Sequence, residues 1–400
     1  MIERHNPNIS YFATTNGRQP HQAFGIYQAD RMQHLYVLGK TGTGKSTLLQ
    51  TLFIQDVSAE RGCILLDPHG DLSSAIAREI PVCHQGRFHY IDIASEQSVI
   101  GYNPLKAVPA HLIPLAASGL LETFRHHFGE KAWGSRMEHI FRNVLYALLE
   151  YQQAELPDVL RMLSEKEFRA EVLRRVTNPQ VLYFWHTEFT KLWGNTLFEA
   201  IAPIQSKVGA MLTDPKLRRF LVDFTEPISF RQAMDEGQIV IVNLARGVIG
   251  ADTSNLLASL LLQTITLAAL SRQSLPAEER RPCHLYLDEF EHFMTPATAG
   301  MLSEVRKVGL SVTLANQYLY QLDGDVRAAI MGNVGTIISF RVGPEDARHL
   351  SRHFEGIDEI DLQNLPNHDL FVRMMIDGEP SRAFSGTGLI SSTILKERYF

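Results

Sequence analysis

The sequence predicts an α/β fold built on a largely parallel sheet and interrupted by an all-α segment. Three observations carry this. Short apolar, β-rich runs recur at Leu35–Leu38, Cys63–Leu66, Phe88–Ile91, Ile239–Val242, Leu285–Leu287, Val312–Ala315, Thr336–Phe340 and Leu370–Met375, the pattern of strands buried on both faces. Helical patterns lie between most of them, and that alternation places helices on both faces of a parallel sheet. Between about Pro109 and Phe230 the strand signals vanish and stretches such as EHIFRNVLYALLEY and LPDVLRMLSEKEFRAEVLRRV take over. The expected division is therefore 1–110 for the first part of the core, 111–230 for the helical insertion, 231–384 for the second part of the core and 385–400 for a carboxyl-terminal tail.

Composition narrows the function classes. The 400 residues are 45% hydrophobic and 20% charged, which excludes fibrous and largely disordered chains. Thirty-eight basic against 44 acidic residues give a net charge of -6, so nucleic-acid binding would have to come from a local patch. Cys63, Cys83 and Cys283 are too scattered for a disulfide framework or a CxxC metal site, and a reducing cytoplasm fits them. The opening MIERHNPNISYF has no apolar run, so neither a signal peptide nor an amino-terminal anchor is expected. Thr253–Ser271 carries no charge and approaches spanning length, but Asn255, Gln263 and its place between two strand-like runs make it a helix packed on the sheet.

After the first of these runs comes GKTGTGKST, followed by the helix-like TLLQTLFIQDV. Gly39, Gly44, Lys45 and Ser46 fill the GxxxxGK[ST] spacing, and the loop Gly39, Thr41, Gly42, Thr43, Gly44, Lys45, Ser46 and Thr47 is the expected nucleotide-binding segment. The chemistry needs glycines so that backbone N–H groups can turn inward around a phosphate at a helix amino terminus. Lys45 then neutralises the β/γ oxygens of ATP, and the Ser46 hydroxyl helps hold Mg²⁺.

Two apolar runs end in acids. HLYLDEF ends in Asp288 and Glu289, of which the first can reach the Mg²⁺ shell and the second can polarise an attacking water. That pair favours hydrolysis by water over transfer to a substrate hydroxyl. CILLDPHGDL places Asp67 at a second strand end beside the phosphate loop, with His69 as a turn residue or pocket contact. In EVRKVGLSVTLANQ, Gln317 follows a strand and can sense the γ-phosphate. Arg306 precedes that strand, either as a solvated helix-terminal charge or as an arginine finger reaching a neighbouring subunit.

The set GKTGTGKST, LLDPHGDL, LYLDEFEHF, RKVGL, LANQ and GNVGTIISFRVGPEDAR, in this order, resembles the HerA/FtsK superfamily of DNA-pumping ATPases. Within it, the chain looks most like the coupling-protein-like ATPases of type IV secretion and conjugative DNA transfer. The resemblance implies a RecA-like P-loop core, a homohexameric ring, and ATP-driven movement of sequence-tolerant, double-stranded DNA. It carries over Lys45 and Ser46 as nucleotide and Mg²⁺ ligands, Asp67 as a pocket acid and Asp288 with Glu289 as the metal and water-activating pair. Gln317 carries over as the sensor and Arg306 as a charge donor in trans. The amino-terminal membrane helices of coupling proteins have no counterpart in the sequence. A cytoplasmic protein peripheral to a membrane complex is expected, docked by a membrane-channel, relaxase or nuclease partner. A soluble adaptor ATPase that recruits protein or nucleoprotein cargo is the second reading. Arg161, Arg169, Arg174, Arg175, Lys216, Arg218 and Arg219 of the helical insertion are the candidate DNA contacts.

Overall fold

In the computed structural model, which describes residues 6–17, 22–106, 108–129, 133–192 and 194–390, each of the apolar runs is a strand. The main sheet has 11 strands. In chain order they are β1 (Ile9–Thr15), β2 (Ala23–Tyr27), β3 (Leu35–Leu38), β4 (Gly62–Asp67), β5 (Phe88–Asp92), β6 (Ile239–Asn243), β7 (Cys283–Asp288), β8 (Leu310–Asn316), β9 (Thr336–Ser339), β10 (Asp369–Arg373) and β11 (Phe384–Gly388). Their spatial order is β2-β1-β11-β10-β9-β3-β8-β7-β4-β6-β5. From β9 through β3, β8, β7 and β4 to β6 the neighbours are parallel, and all six strands are buried along nearly their whole length, as continuous apolar runs require. The strand carrying Gln317 at its end, β8, thus lies between the phosphate-loop strand β3 and the acidic strand β7.

Register brings the strand ends together. Asn316 pairs with Leu38, Ala315 with Asp288, and Asp67 with Asn243. Every parallel strand therefore delivers its last residue to one edge, where open α/β sheets bind ligands.

Strands β1, β2 and β11 have no expected counterpart, and they add an antiparallel flank through β10. The tail expected from residue 385 therefore begins inside a strand, and 391–400 lies outside the described residues. FSGTG lacks a strand-like apolar run because Gly386 sits where a Cβ would lie 2.8 Å from the Phe24 ring and 2.9 Å from the Thr14 carbonyl oxygen. Close approach, not side-chain packing, selects its residues.

The chain divides into two units, one of residues 1–90, 231–243 and 272–400, the other of 91–230 and 244–271. The first carries the sheet. In the second, the helix Ala251–Ser271 packs on Ile113–Phe128, which packs on Ser135–Tyr151, which in turn meets Asn195–Thr213. The helical unit thus begins at 91 instead of 111, and the charge-free helix, expected on the sheet, belongs to it. By length and composition Ala251–Ser274 could cross a membrane, but 78% of its most apolar window is buried inside the fold.

A buried ionic network locks the sheet unit. Arg31 sends a bidentate pair to Asp56 at 2.7 and 2.9 Å, Arg61 adds a bond at 2.8 Å, and the Tyr286 hydroxyl also donates to Asp56. Burial alone would raise the Asp56 carboxyl, yet Arg31, His284 and Arg61 hold it well below the ordinary carboxylate range. The network fastens the helix Lys45–Ser58 to β7, two residues before Asp288.

Candidate active site

The phosphate loop turns directly out of β3 into the helix Lys45–Ser58. Gly42 and Gly44 have φ of 75° and 125°, a region that suits glycine, and a Cβ on Gly44 would lie 2.9 Å from the Phe340 ring and 3.1 Å from His368 Nδ1. Phe340 and His368 therefore seat the loop, a role carried by packing that no motif in the sequence announces. The amino terminus of this 14-residue helix has no side-chain cap and no acid in its first turn. Its backbone N–H groups are thereby left for an anion. The exposed Ser46 side chain stands at this terminus.

Lys45 folds back over the loop, donating to the carbonyl oxygens of Gly39 at 2.5 Å and Lys40 at 3.2 Å. Burial lowers its pKa, against the attraction of Asp288, Glu289 and Glu291. The Asp288 carboxyl is pushed up to about 7 by burial and by the like charges of Asp67 and Glu289, with Lys45 only partly offsetting them. Glu291, which sequence reasoning passed over, is pushed up to about 8 by burial, with Glu289 and Asp288 adding to it. The EFEH segment held the only signal for it, a second acid in step with Glu289. A divalent cation beside the Ser46 hydroxyl and the Asp288 carboxylate would relieve this crowding, so the donor set fits Mg²⁺ brought in with a nucleotide. Among the described residues no cluster of three His, Cys, Asp or Glu side chains could hold a metal unaided.

Glu289 adopts a left-handed backbone, φ 47°, at the very end of β7. Gln317 Nε2 donates to its Oε1 at 2.8 Å, and His69 Nε2 lies 2.6 Å from its Oε2. The Gln317 oxygen in turn accepts from the Thr41 hydroxyl at 3.0 Å, so the phosphate loop, Gln317 and Glu289 form one chain of contacts. Thr43, from the same loop, is turned inward and donates to the Lys40 carbonyl at 2.7 Å. Asp67 plays a different part: it accepts from the backbone N–H of His69 at 3.0 Å and of Ser73 at 2.7 Å, fixing the turn that presents His69.

Arg306 does not join this constellation in its own chain. It is exposed at the end of the helix Leu302–Lys307, which feeds the amino end of β8, whereas Gln317 follows the carboxyl end. The 7 residues of β8 separate them by roughly 20 Å at about 3.3 Å per residue. Several candidate DNA contacts of the helical unit are already engaged. Arg161 pairs with Asp158 and Glu165, Arg218 pairs with Asp223, and Arg169, Arg219 and Lys216 donate to backbone carbonyls.

The family model for the helicase HerA central domain matches residues 28–265. The plasmid coupling protein TrwB, solved in complex with ADP and Mg²⁺, aligns over 98% of this chain and 91% of its own, at 16% identity and a TM-score of 0.69. VirB4 of Thermoanaerobacter pseudethanolicus aligns over 98% of this chain and 99% of its own, at 14% identity and a TM-score of 0.66. No curated protein matches the sequence. At such identities the likeness shows the fold, which is that of RecA-like P-loop ATPases.

Proposed function

We propose that this chain, which belongs to the family of the helicase HerA central domain, is a Mg²⁺-dependent ATPase that works in a type IV secretion or conjugation-type system and moves DNA by hydrolysing ATP. The observation that carries the reading is the Thr41–Gln317–Glu289 chain, which links the phosphate loop to a water-activating acid. An acid tied to the phosphate loop in this way suits attack by water on the γ-phosphate.

Lys45 leaves the Gly39 and Lys40 carbonyls to neutralise the β/γ oxygens, and the loop N–H groups surround the β-phosphate. Ser46 and Asp288 would hold Mg²⁺, whose charge would add to that of Lys45 in neutralising the phosphates. Glu289 orients and deprotonates the attacking water, but here His69 and Gln317 engage both of its carboxylate oxygens. A γ-phosphate that draws Gln317 toward itself frees Oε1 for the water, so the amide both senses the nucleotide and releases the base. Arg306, exposed and remote in its own chain, completes a neighbour's site in a hexameric ring. The site assignments of Gly39, Thr41, Gly42, Thr43, Gly44, Thr47 and Asp67 belong to the same reading, Asp67 through the His69 turn. TrwB, a conjugative coupling protein solved with ADP and Mg²⁺, supports the conjugation-type setting and the nucleotide.

Stimulation of ATP hydrolysis by random-sequence double-stranded DNA tests the reading. A rise in turnover with DNA is expected; unchanged turnover at saturating DNA would favour the adaptor ATPase.

A further inference from the structure

With a net charge of -6, the protein must concentrate any polyanion site locally. In the sheet unit such a concentration exists. Arg327, Arg352, Arg373 and Arg382 make no ion pair within 4.0 Å among the described residues, unlike their neighbour Arg348, which is paired with Glu345 at 3.2 Å. Arg373, Arg382 and His353 line one shallow cavity of about 150 Å³, which Glu355 shares as the single carboxylate. The His353 ring lies 5.4 Å from that of His349. Further along, the Arg327 guanidinium sits over the Tyr320 ring, 5.6 Å from its centroid, and that tyrosine is 65% exposed.

The histidines register the positive surroundings. Burial, then Arg327 and Arg352, lower the His349 imidazole; burial, then His349 and Arg373, lower that of His353. Positive charge thus bears on both rings, Arg327 and Arg352 on His349 and Arg373 on His353.

We propose that the strip running from Tyr320 and Arg327 to Arg373 and Arg382 grips the phosphodiester backbone of DNA, an assignment that rests on the translocase reading above. All four unpaired cations are arginines, whose planar fork matches phosphate bidentately, and none is a lysine. The exposed Tyr320 ring beside Arg327 offers a flat face to a sugar or base. An anionic membrane would call for apolar side chains to insert beside the charges, and the cavity wall offers only Pro380 and Ala383.

The strip also has a mechanical route to the active site. Tyr320 lies in the turn Leu319–Gln321, three residues beyond Gln317. That turn is pinned by Asn316 Nδ2 donating to the Tyr318 carbonyl at 2.9 Å and by the Leu319 N–H donating to Asp346 at 3.1 Å; Asn316 is itself held by the buried Tyr36 hydroxyl at 2.8 Å. On this proposal, a load on Tyr320 would be felt through that turn at Gln317, whose amide holds Glu289.

The test is fluorescence anisotropy of a labelled random-sequence duplex against full-length protein over a salt series, with phosphatidylserine vesicles as a second arm. The Arg373→Glu/Arg382→Glu protein is expected to bind DNA at least tenfold more weakly. The neutral pair Arg373→Gln/Arg382→Gln is expected to flatten the log–log salt slope by about 2, near 0.9 per lost phosphate contact. Both should keep the ATP turnover measured without DNA, which also shows that they fold. Wild-type affinity and slope in both variants would overturn the strip while leaving the translocase reading intact. DNA binding through the strip without stimulation of the ATPase would leave the strip standing and overturn the translocase reading. Binding to the vesicles and not to DNA overturns the proposal in favour of a membrane surface.

Discussion

Two carboxylate clusters meet the same strand, and they have opposite character. Asp56, beneath β7 at Tyr286, is matched inside the chain by Arg31 and Arg61 and stays ionised below its ordinary range. Asp288, two residues further along β7, lies among Asp67, Glu289 and Glu291, Lys45 only partly offsets them, and its carboxyl rises to about 7. The first cluster is closed and holds the fold. The second is open toward the sheet edge, with the charge deficit that a divalent cation and a nucleotide would fill. A carboxylate's role is thus legible from who neutralises it.

Substitutions should separate the two. Glu289→Gln is expected to lower ATP hydrolysis by about two to four orders of magnitude, the range for losing a general base, while thermal stability and Mg·ATP binding persist. Lys45→Ala should abolish turnover through lost nucleotide affinity, measured by calorimetric titration. Loss of nucleotide binding in Glu289→Gln would make that acid structural and erase the distinction. In the closed cluster, Arg31→Met should cost about 3–5 kcal/mol of folding stability, because it leaves Asp56 buried with weaker compensation. A denaturation midpoint equal to wild type would show the network to be dispensable.

The clusters also predict opposite pH slopes. The Asp288 carboxyl is raised from 3.8 to about 7 on folding, so the nucleotide-free protein binds this proton more tightly than the unfolded chain and loses stability as pH climbs from about 4 through 7. Asp56 is lowered, so its contribution is present above 3.8 and lost as pH falls below that value. Asp288→Asn should remove the first slope, raising the melting temperature near pH 7 while lowering Mg-dependent hydrolysis. An unchanged slope in thermal melts would contradict the open-cluster assignment. The smallest effect is expected at His69: His69→Ala loses one contact to Glu289, worth about 1 kcal/mol, and should raise DNA-independent turnover by no more than about fivefold. A fall in turnover would instead make His69 a support for the active pose.

The sequence displayed the open cluster better than the closed one. The phosphate loop, Asp288, Glu289 and Gln317 occupy strand ends that hydrophobic patterning locates, and parallel register then brings them together. Asp56 lies mid-helix, and its partners Arg31 and Tyr286 are 25 and 230 residues away, so only tertiary packing pairs them. The Glu289–His69 contact spans 220 residues and was hidden for the same reason. Strands β1, β2 and β11 escaped because they are half-buried flank strands, one of them containing two glycines in FSGTG. The helix Ala251–Ser271 looked like a sheet-covering helix because order along the chain suggested it, whereas its packing partner is Ile113–Phe128.

The claim that turnover at the open cluster moves DNA is tested most directly by ATP-dependent displacement of a third strand from triplex DNA. The wild-type protein is predicted to displace it only with Mg·ATP, and Glu289→Gln to bind the same DNA without displacing anything. Steady ATP hydrolysis by the wild type with the triplex left intact would contradict the account.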